Sequence, residues 1–344
     1  MSLKRPSGLS GTLVVLEHVS KILKGNPLGD PHVRKVGVWL PPNYDIGSKR
    51  RYPVLYDLVG FTGSGLSHVG WKSFGDNVPE RAARLIHEKK MGPAIIVFPD
   101  CFTALGGNQY VNSSAIGNYA DYLTREIIPF VDSEFRTQAS REHRGCFGKS
   151  SGGYGSIIHG MKYPKYWGAI ADHSGDAYFE FVYWHDWPNT LNELAKHKKG
   201  GGDRIKRFLR AVWKKEKLSG AETHAIMNLC MAATYDPDPR APNGFRVPFD
   251  LDTGELIPRR WREWRKHDPV NLVGKYKKNL KTLRGIYIDC GSRDQYHIHY
   301  GSRILAKRLA AAGIRHRHEE FDDNHSDIDY RMDISLPFLY KALA

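Results

Sequence analysis

Apolar runs recur along the chain, separated by segments in which apolar residues return every three or four positions. Val36–Leu40 alternates and stops at Pro41-Pro42. Tyr52–Val59 and Ala94–Phe98 are nearly continuous, as strands covered on both faces are. Arg144–Phe147, Gly168–Ala171, Gly285–Cys290 and Arg317–Phe321 complete a set of seven predicted strands. Between them, Tyr119, Tyr122, Leu123, Ile127, Phe130 and Val131 mark an amphipathic helix that Pro129 is predicted to kink. Ile304, Leu305 and Leu309 mark a later helix that stops at Gly313. This alternation predicts an α/β protein with one large, mostly parallel sheet flanked by helices.

From Tyr178 to Asn271 the alternation breaks. Aromatic residues (Phe179, Phe181, Tyr183, Trp184, Trp187) lead to a hinge-like Gly200-Gly201-Gly202 and then to Pro237, Pro239 and Pro242. The segment is expected to be a helical insertion or cap, residues 178–271, between the core portions 1–177 and 272–344. Within it, Ile205, Phe208, Leu209, Val212 and Trp213 form an apolar stripe with Asp203 as N-cap. Its aromatics are as well suited to core packing as to lining a pocket.

Composition narrows the class. The 344 residues are 41% hydrophobic and 26% charged, and no apolar run approaches the roughly 20 residues that span a bilayer, so no membrane span is expected. The net charge is +14. Between Lys196 and Lys217, ten Lys and Arg face only Asp203 and Glu216, a net +8. These charges occupy the helix face opposite the apolar stripe, where a solvated surface is the expected role and an anion site the alternative. Nucleic acid is disfavoured as a partner because no binding module accompanies the basic helix.

Cys101, Cys146, Cys230 and Cys290 show no C-x-x-C spacing, against a zinc ribbon or redox pair. Cys146 and Cys290, inside strand runs, are expected as buried free thiols. His297-x-His299 and His316-x-His318 read as alternate positions on extended segments, so neither metal nor cofactor is expected. Basic residues in Met1–Pro6 precede no apolar segment, which predicts a cytoplasmic address unless a leader has been removed. The oligomeric state is left open.

The sharpest local signal is Gly148-Lys149-Ser150-Ser151-Gly152, a G-x-S-x-G between the Arg144 strand and helix-compatible Tyr154–Met161. A serine at such a strand-to-helix turn stands exposed at the C-terminal edge of the sheet, which makes Ser150 the expected nucleophile. A P-loop would need glycine where His143 stands. Serine needs a histidine base steadied by a carboxylate, in the chain order Ser, acid, His. Asp294, in the turn after the Gly285 strand, is the expected acid, with Asp289 as runner-up. His325, after the last strand, is the expected base, because His297 and His299 stand too close to Asp294 in sequence. The backbone N–H groups of Ser151 and Phe61, the latter in the Gly60–Gly65 loop, are the expected oxyanion donors.

With these residues in place the chain resembles the esterase family of α/β hydrolases that includes esterase D (S-formylglutathione hydrolase), feruloyl and acetyl-xylan esterases, enterochelin esterases and mycolyltransferases. The resemblance runs from about Val36 to the C-terminus. It rests on Leu40-Pro41-Pro42-Asn43-Tyr44, Tyr52-Pro53-Val54-Leu55-Tyr56, Phe98-Pro99-Asp100, the Ser150 turn, His173-Ser174-Gly175, His267-Asp268-Pro269, Asp289–Asp294 and His325. It implies the α/β-hydrolase fold and a serine carboxylesterase acting through an acyl-enzyme on a small-molecule or carbohydrate-linked ester. An acyltransferase using the same acyl-enzyme, or a non-catalytic carbohydrate-binding protein on this scaffold, are the alternatives. Members carry His-Gly after the second strand where this chain has Val59-Gly60, so the loop is expected to be supported differently.

Overall fold

In a computed structural model, which describes residues 11–44, 48–198 and 203–344, eight strands share one sheet. They are β1 (Thr12–Val19), β2 (Val33–Leu40), β3 (Val54–Leu58), β4 (Ile95–Pro99), β5 (Arg144–Lys149), β6 (Ala169–His173), β7 (Gly285–Gly291) and β8 (Arg317–Phe321). Their spatial order is β1-β2-β4-β3-β5-β6-β7-β8, with β2 antiparallel to both β1 and β4 and every other pair parallel. Met1–Pro6 and the Gly200–Gly202 triplet lie outside the described residues.

The continuous apolar runs are explained by burial on both faces. Val54, Tyr56 and Leu58 of β3 enter one core and Leu55 the other; Ile95 and Val97 of β4 divide from Ile96 and Phe98 in the same way. One face is covered by α1 (Val78–His87) and the C-terminal α8 (Met332–Leu343). The other receives α2 (Ser151–Lys162) and α7 (Ile298–Ala311). Gly313, at φ +64°, ends the last turn after α7. The segment from Tyr119 to Glu134 is helical but passes through π-type turns over Tyr122–Ile127. Ile128 N–H donates five residues back to Leu123 C=O, and Pro129 has no N–H with which to continue an α-helix. The kink expected from Pro129 is thus a widened turn. All four cysteines are buried and free.

Between β6 and β7 run α3 (Trp187–Ala195), α4 (Arg204–Val212), α5 (Gly220–Tyr235) and α6 (Pro258–Arg265). Asp203 caps α4 by accepting from the N–H groups of Ile205 and Lys206. Ile205, Phe208, Leu209 and Val212 are buried. Trp213 is not part of that core: it sits just past the last turn, 50% exposed, and its indole donates to Ala104 C=O at 2.8 Å. Lys206, Arg210 and Lys214 are exposed, whereas Arg204 and Arg207 fold back onto the carbonyls of Leu251 and His197. Among the described residues no helix is long and apolar enough to cross a membrane.

Candidate active site

Strand β5 hands the chain to α2 through Ser150, whose φ of 58° and ψ of −124° lie where side chains rarely go. The conformation is held at both ends: Ser150 N–H donates to His173 C=O, and its own carbonyl accepts from Tyr154 N–H, each at 2.9 Å. The flanking glycines are steric requirements. A Cβ at Gly148 would stand 2.1 Å from the Leu58 carbonyl oxygen, and one at Gly152 only 1.7 Å from the same atom. Without side chains there, α2 can start against the end of β3.

Asp294 and His325 come together from the turns after β7 and β8. His325 Nδ1 and Asp294 Oδ2 are 2.7 Å apart. Asp294 Oδ1 also accepts from Tyr296 N–H at 2.9 Å, and Gln295 Oε1 accepts from His325 N–H at 2.9 Å. Burial pushes the Asp294 carboxyl up, but the hydrogen bond and charge of His325, with the nearby backbone N–H groups, hold it below its ordinary value. With both carboxylate oxygens accepting, Nδ1 of His325 carries the proton and Nε2 is the nitrogen left over.

Asp289 is committed elsewhere. It accepts from Tyr287 OH and Arg331 Nε, each at 2.9 Å, and lies 2.6 Å from His173 Nδ1. Burial opposes ionisation, but His173 and Arg331 outweigh it and lower the pKa. His297 adopts φ 60° ahead of α7, and His299 is buried against Tyr300. Among the described residues no group of three or more His, Cys, Asp or Glu side chains is arranged to hold a metal ion.

Ser150, Ser151, Phe61 and His325 line one cavity of about 250 Å³ together with Asp176, Tyr183, Thr223, His224 and Tyr296. Ser151 is the first residue of α2, where backbone N–H groups have no acceptor within the helix. The Gly60–Phe61 loop is supported by Tyr110, whose OH donates to Val59 C=O at 2.7 Å, and by Thr62 N–H donating to Gly106 C=O at 2.8 Å. Lys149 also borders the cavity, and burial lowers its pKa. A wider groove of about 1390 Å³ lies at the opposite, N-terminal edge of β7 and β8 and contains none of these residues.

Sequence reasoning missed Asp176, His224 and Tyr296 as cavity residues, whereas Tyr183 is one of the insertion aromatics offered for either a pocket or the core. Asp176 Oδ2 accepts from Gln109 Nε2 at 2.8 Å and from Tyr183 OH at 2.7 Å. Burial nonetheless raises its pKa. His224 and Thr223 come from α5, so the segment between β6 and β7 forms one wall of the cavity.

A parallel-centred eight-stranded sheet with a strained serine after β5 and an Asp–His pair after β7 and β8 defines an α/β hydrolase. The family model described as Putative esterase matches residues 31–335. The chain belongs to that family. It is 31% identical over 179 residues to Esterase Rv1288 of Mycobacterium tuberculosis, covering 48% of this chain and 34% of that protein. The match therefore spans about a third of that relative's length. A ferulic acid esterase structure superposes with a TM-score of 0.62 at 18% identity, over 98% of this chain and 100% of the other. The S-formylglutathione hydrolase of Agrobacterium tumefaciens superposes with a TM-score of 0.59 at 17% identity, over 100% of both chains.

Proposed function

We propose that the protein is a serine esterase that cleaves a carboxylic ester through an acyl-enzyme, with Ser150, His325 and Asp294 as its catalytic triad. The observation that carries this reading is the Asp294–His325 pair opening onto the cavity that the strained Ser150 also lines. Nε2 of His325 takes the Ser150 proton as Oγ attacks the ester carbonyl, and Asp294 steadies the imidazolium that forms. The backbone N–H groups of Phe61 and Ser151 receive the negative charge on the carbonyl oxygen. Collapse expels the alcohol with the proton from His325, and water, deprotonated by the same imidazole, then releases the acid. Small-molecule or carbohydrate-linked esters are the proposed substrates, supported by the ferulic acid esterases among the structural neighbours. Residues 178–271 act as the cap that selects among them.

Ser150→Ala is the direct test, assayed on acyl p-nitrophenyl esters, feruloylated and acetylated sugars and thioesters, with released acid quantified. Turnover should fall by several orders of magnitude, about 10³-fold or more, with an unchanged melting temperature. Activity within tenfold of the parent would remove Ser150 from the mechanism.

A further inference from the structure

A second aspartate–histidine pair faces the same cavity from the segment between β6 and β7. His224 of α5 lines the cavity, and its Nδ1 lies 3.1 Å from Oδ1 of Asp186, which is itself 4% exposed. Oδ2 of Asp186 accepts from Asn228 Nδ2 at 3.0 Å, and Asn228 also donates to Thr190 Oγ1 at 2.7 Å. Asp186 is therefore an acceptor on both oxygens, and Nδ1 of His224 must be the donor to it. In that tautomer Nε2 is the ring nitrogen able to accept a hydrogen bond. The side chain keeps 37% of its surface exposed although Nδ1 is turned to the buried Asp186.

Tyr296 ties this pair to the catalytic one. Its ring stacks on His224, with centroids 5.9 Å apart and planes 28° apart, and meets His325 edge-on at 4.8 Å. Two imidazoles, each fixed by a buried aspartate, thus flank one tyrosine ring at a single cavity. The attack step needs only one of them. The other is supported by a carboxylate from the turn before α3, which is in turn held by Asn228 of α5. A surface histidine would not need that support.

We propose that His224, oriented by Asp186, is a specificity residue that accepts a hydrogen bond from a hydroxyl group of the bound ester. The inference rests on the esterase reading of the same site and adds its substrate class, a hydroxylated ester. An ester with carbon in place of that hydroxyl would leave Nε2 facing an apolar group inside a small cavity, and a site built to bond a hydroxyl rejects such an analogue.

The test compares two near-isosteric ester pairs, one for each side of the scissile bond: 2-hydroxyethyl butanoate against propyl butanoate, and methyl 3-hydroxybutanoate against methyl 3-methylbutanoate. The parent enzyme should prefer the hydroxylated member of one pair by about tenfold in kcat/KM, and that pair identifies the side on which the hydroxyl binds. His224→Phe should collapse the preference to about twofold or less. His224→Gln, which keeps a hydrogen-bonding end, should restore part of it. No preference in the parent for either pair, or a preference that survives His224→Phe, would overturn the inference. Ser150→Ala separates the two readings. If it removes turnover of all four esters while His224→Phe leaves their ratios intact, the esterase site stands and the hydroxyl subsite falls; if turnover survives it, the site itself was misread.

Discussion

At the scale of single residues, the contrast between Asp289 and Asp294 shows how two buried acids only five positions apart come to do different work. Asp289, still inside β7, is boxed in by His173, Tyr287 and Arg331. Asp294, beyond the strand, meets His325, which lines the cavity beside Ser150. Asp294→Asn should therefore lower kcat by roughly 10³- to 10⁴-fold, because an amide favours the wrong tautomer of His325, while the melting temperature stays close to the parent's. Asp289→Asn should do the reverse. It leaves the Arg331 guanidinium, 11% exposed at its side chain, without one of its two carboxylate partners, and removing one member of a buried ion pair costs roughly 3–5 kcal/mol, discounted here because Glu319 also bonds Arg331. Thermal denaturation and steady-state kinetics on both variants check the assignment. Equal activity loss with equal stability in the two would erase the distinction. The sequence favoured Asp294 on position alone, since both acids sit at the end of the same apolar run; the hydrogen bonds that separate them join segments about thirty to over one hundred residues apart, which no local pattern records.

At the scale of elements, legibility followed burial. The seven strands read from apolar runs are all present, with ends shifted by up to three residues, because each lies between two covered faces or, like β2 and β8, beside one that does. The eighth, β1, escaped because it is the exposed edge: Leu13, Val15 and Val19 are 40%, 45% and 63% accessible, so its apolar residues mark pairing with β2 more than burial. The positions of Ser150 and His325 were readable because each follows a strand predicted from the sequence. His224 was not, because its aspartate lies 38 residues away in another element. The basic face of α4 illustrates the opposite limit, a conspicuous pattern that the fold only partly keeps as free surface charge. Lys206, Arg210 and Lys214 are exposed, whereas Arg204 and Arg207 bond backbone carbonyls. Reversing the three exposed charges to Glu should change stability by no more than about 0.5 kcal/mol per site and leave the ratio of turnover of anionic to neutral esters insensitive to salt. A selective, salt-dependent loss on the anionic ester would instead reveal electrostatic steering, since screening acts over about 8 Å at physiological ionic strength.

At the scale of the whole molecule, buried titratable groups oppose one another across the acid range. His159 is satisfied only as the neutral ring: Nε2 bonds Tyr110 C=O at 2.8 Å and Nδ1 accepts from Trp167 Nε1 at 3.1 Å. Burial lowers its pKa to about 4, and burial with two neighbouring lysines lowers that of His267 to about 3. The unfolded chain protonates histidine near about 6.5, so between that pH and about 4 the unfolded state holds more protons. The stability these two rings contribute is complete above pH 6.5 and is lost as the pH falls. Asp172 and Asp268 work in the other direction. Burial raises them to about 7 and about 6, so the folded state holds more protons than unfolded carboxylates that titrate near pH 3.8, and stability is lost as the pH rises through that window. Between pH 4.5 and 6.5 the contributions of these four groups nearly cancel one another. Removing one member tilts the balance. His159→Gln, whose amide can still reach Tyr110, should make stability decline with rising pH by up to about 1.4 kcal/mol per pH unit relative to the parent, and Asp172→Asn should tilt it upward by a similar amount. Urea titrations at half-unit steps across this window read both slopes, and slopes that stay parallel to the parent's in both variants would show that neither group holds its folded-state protonation through burial.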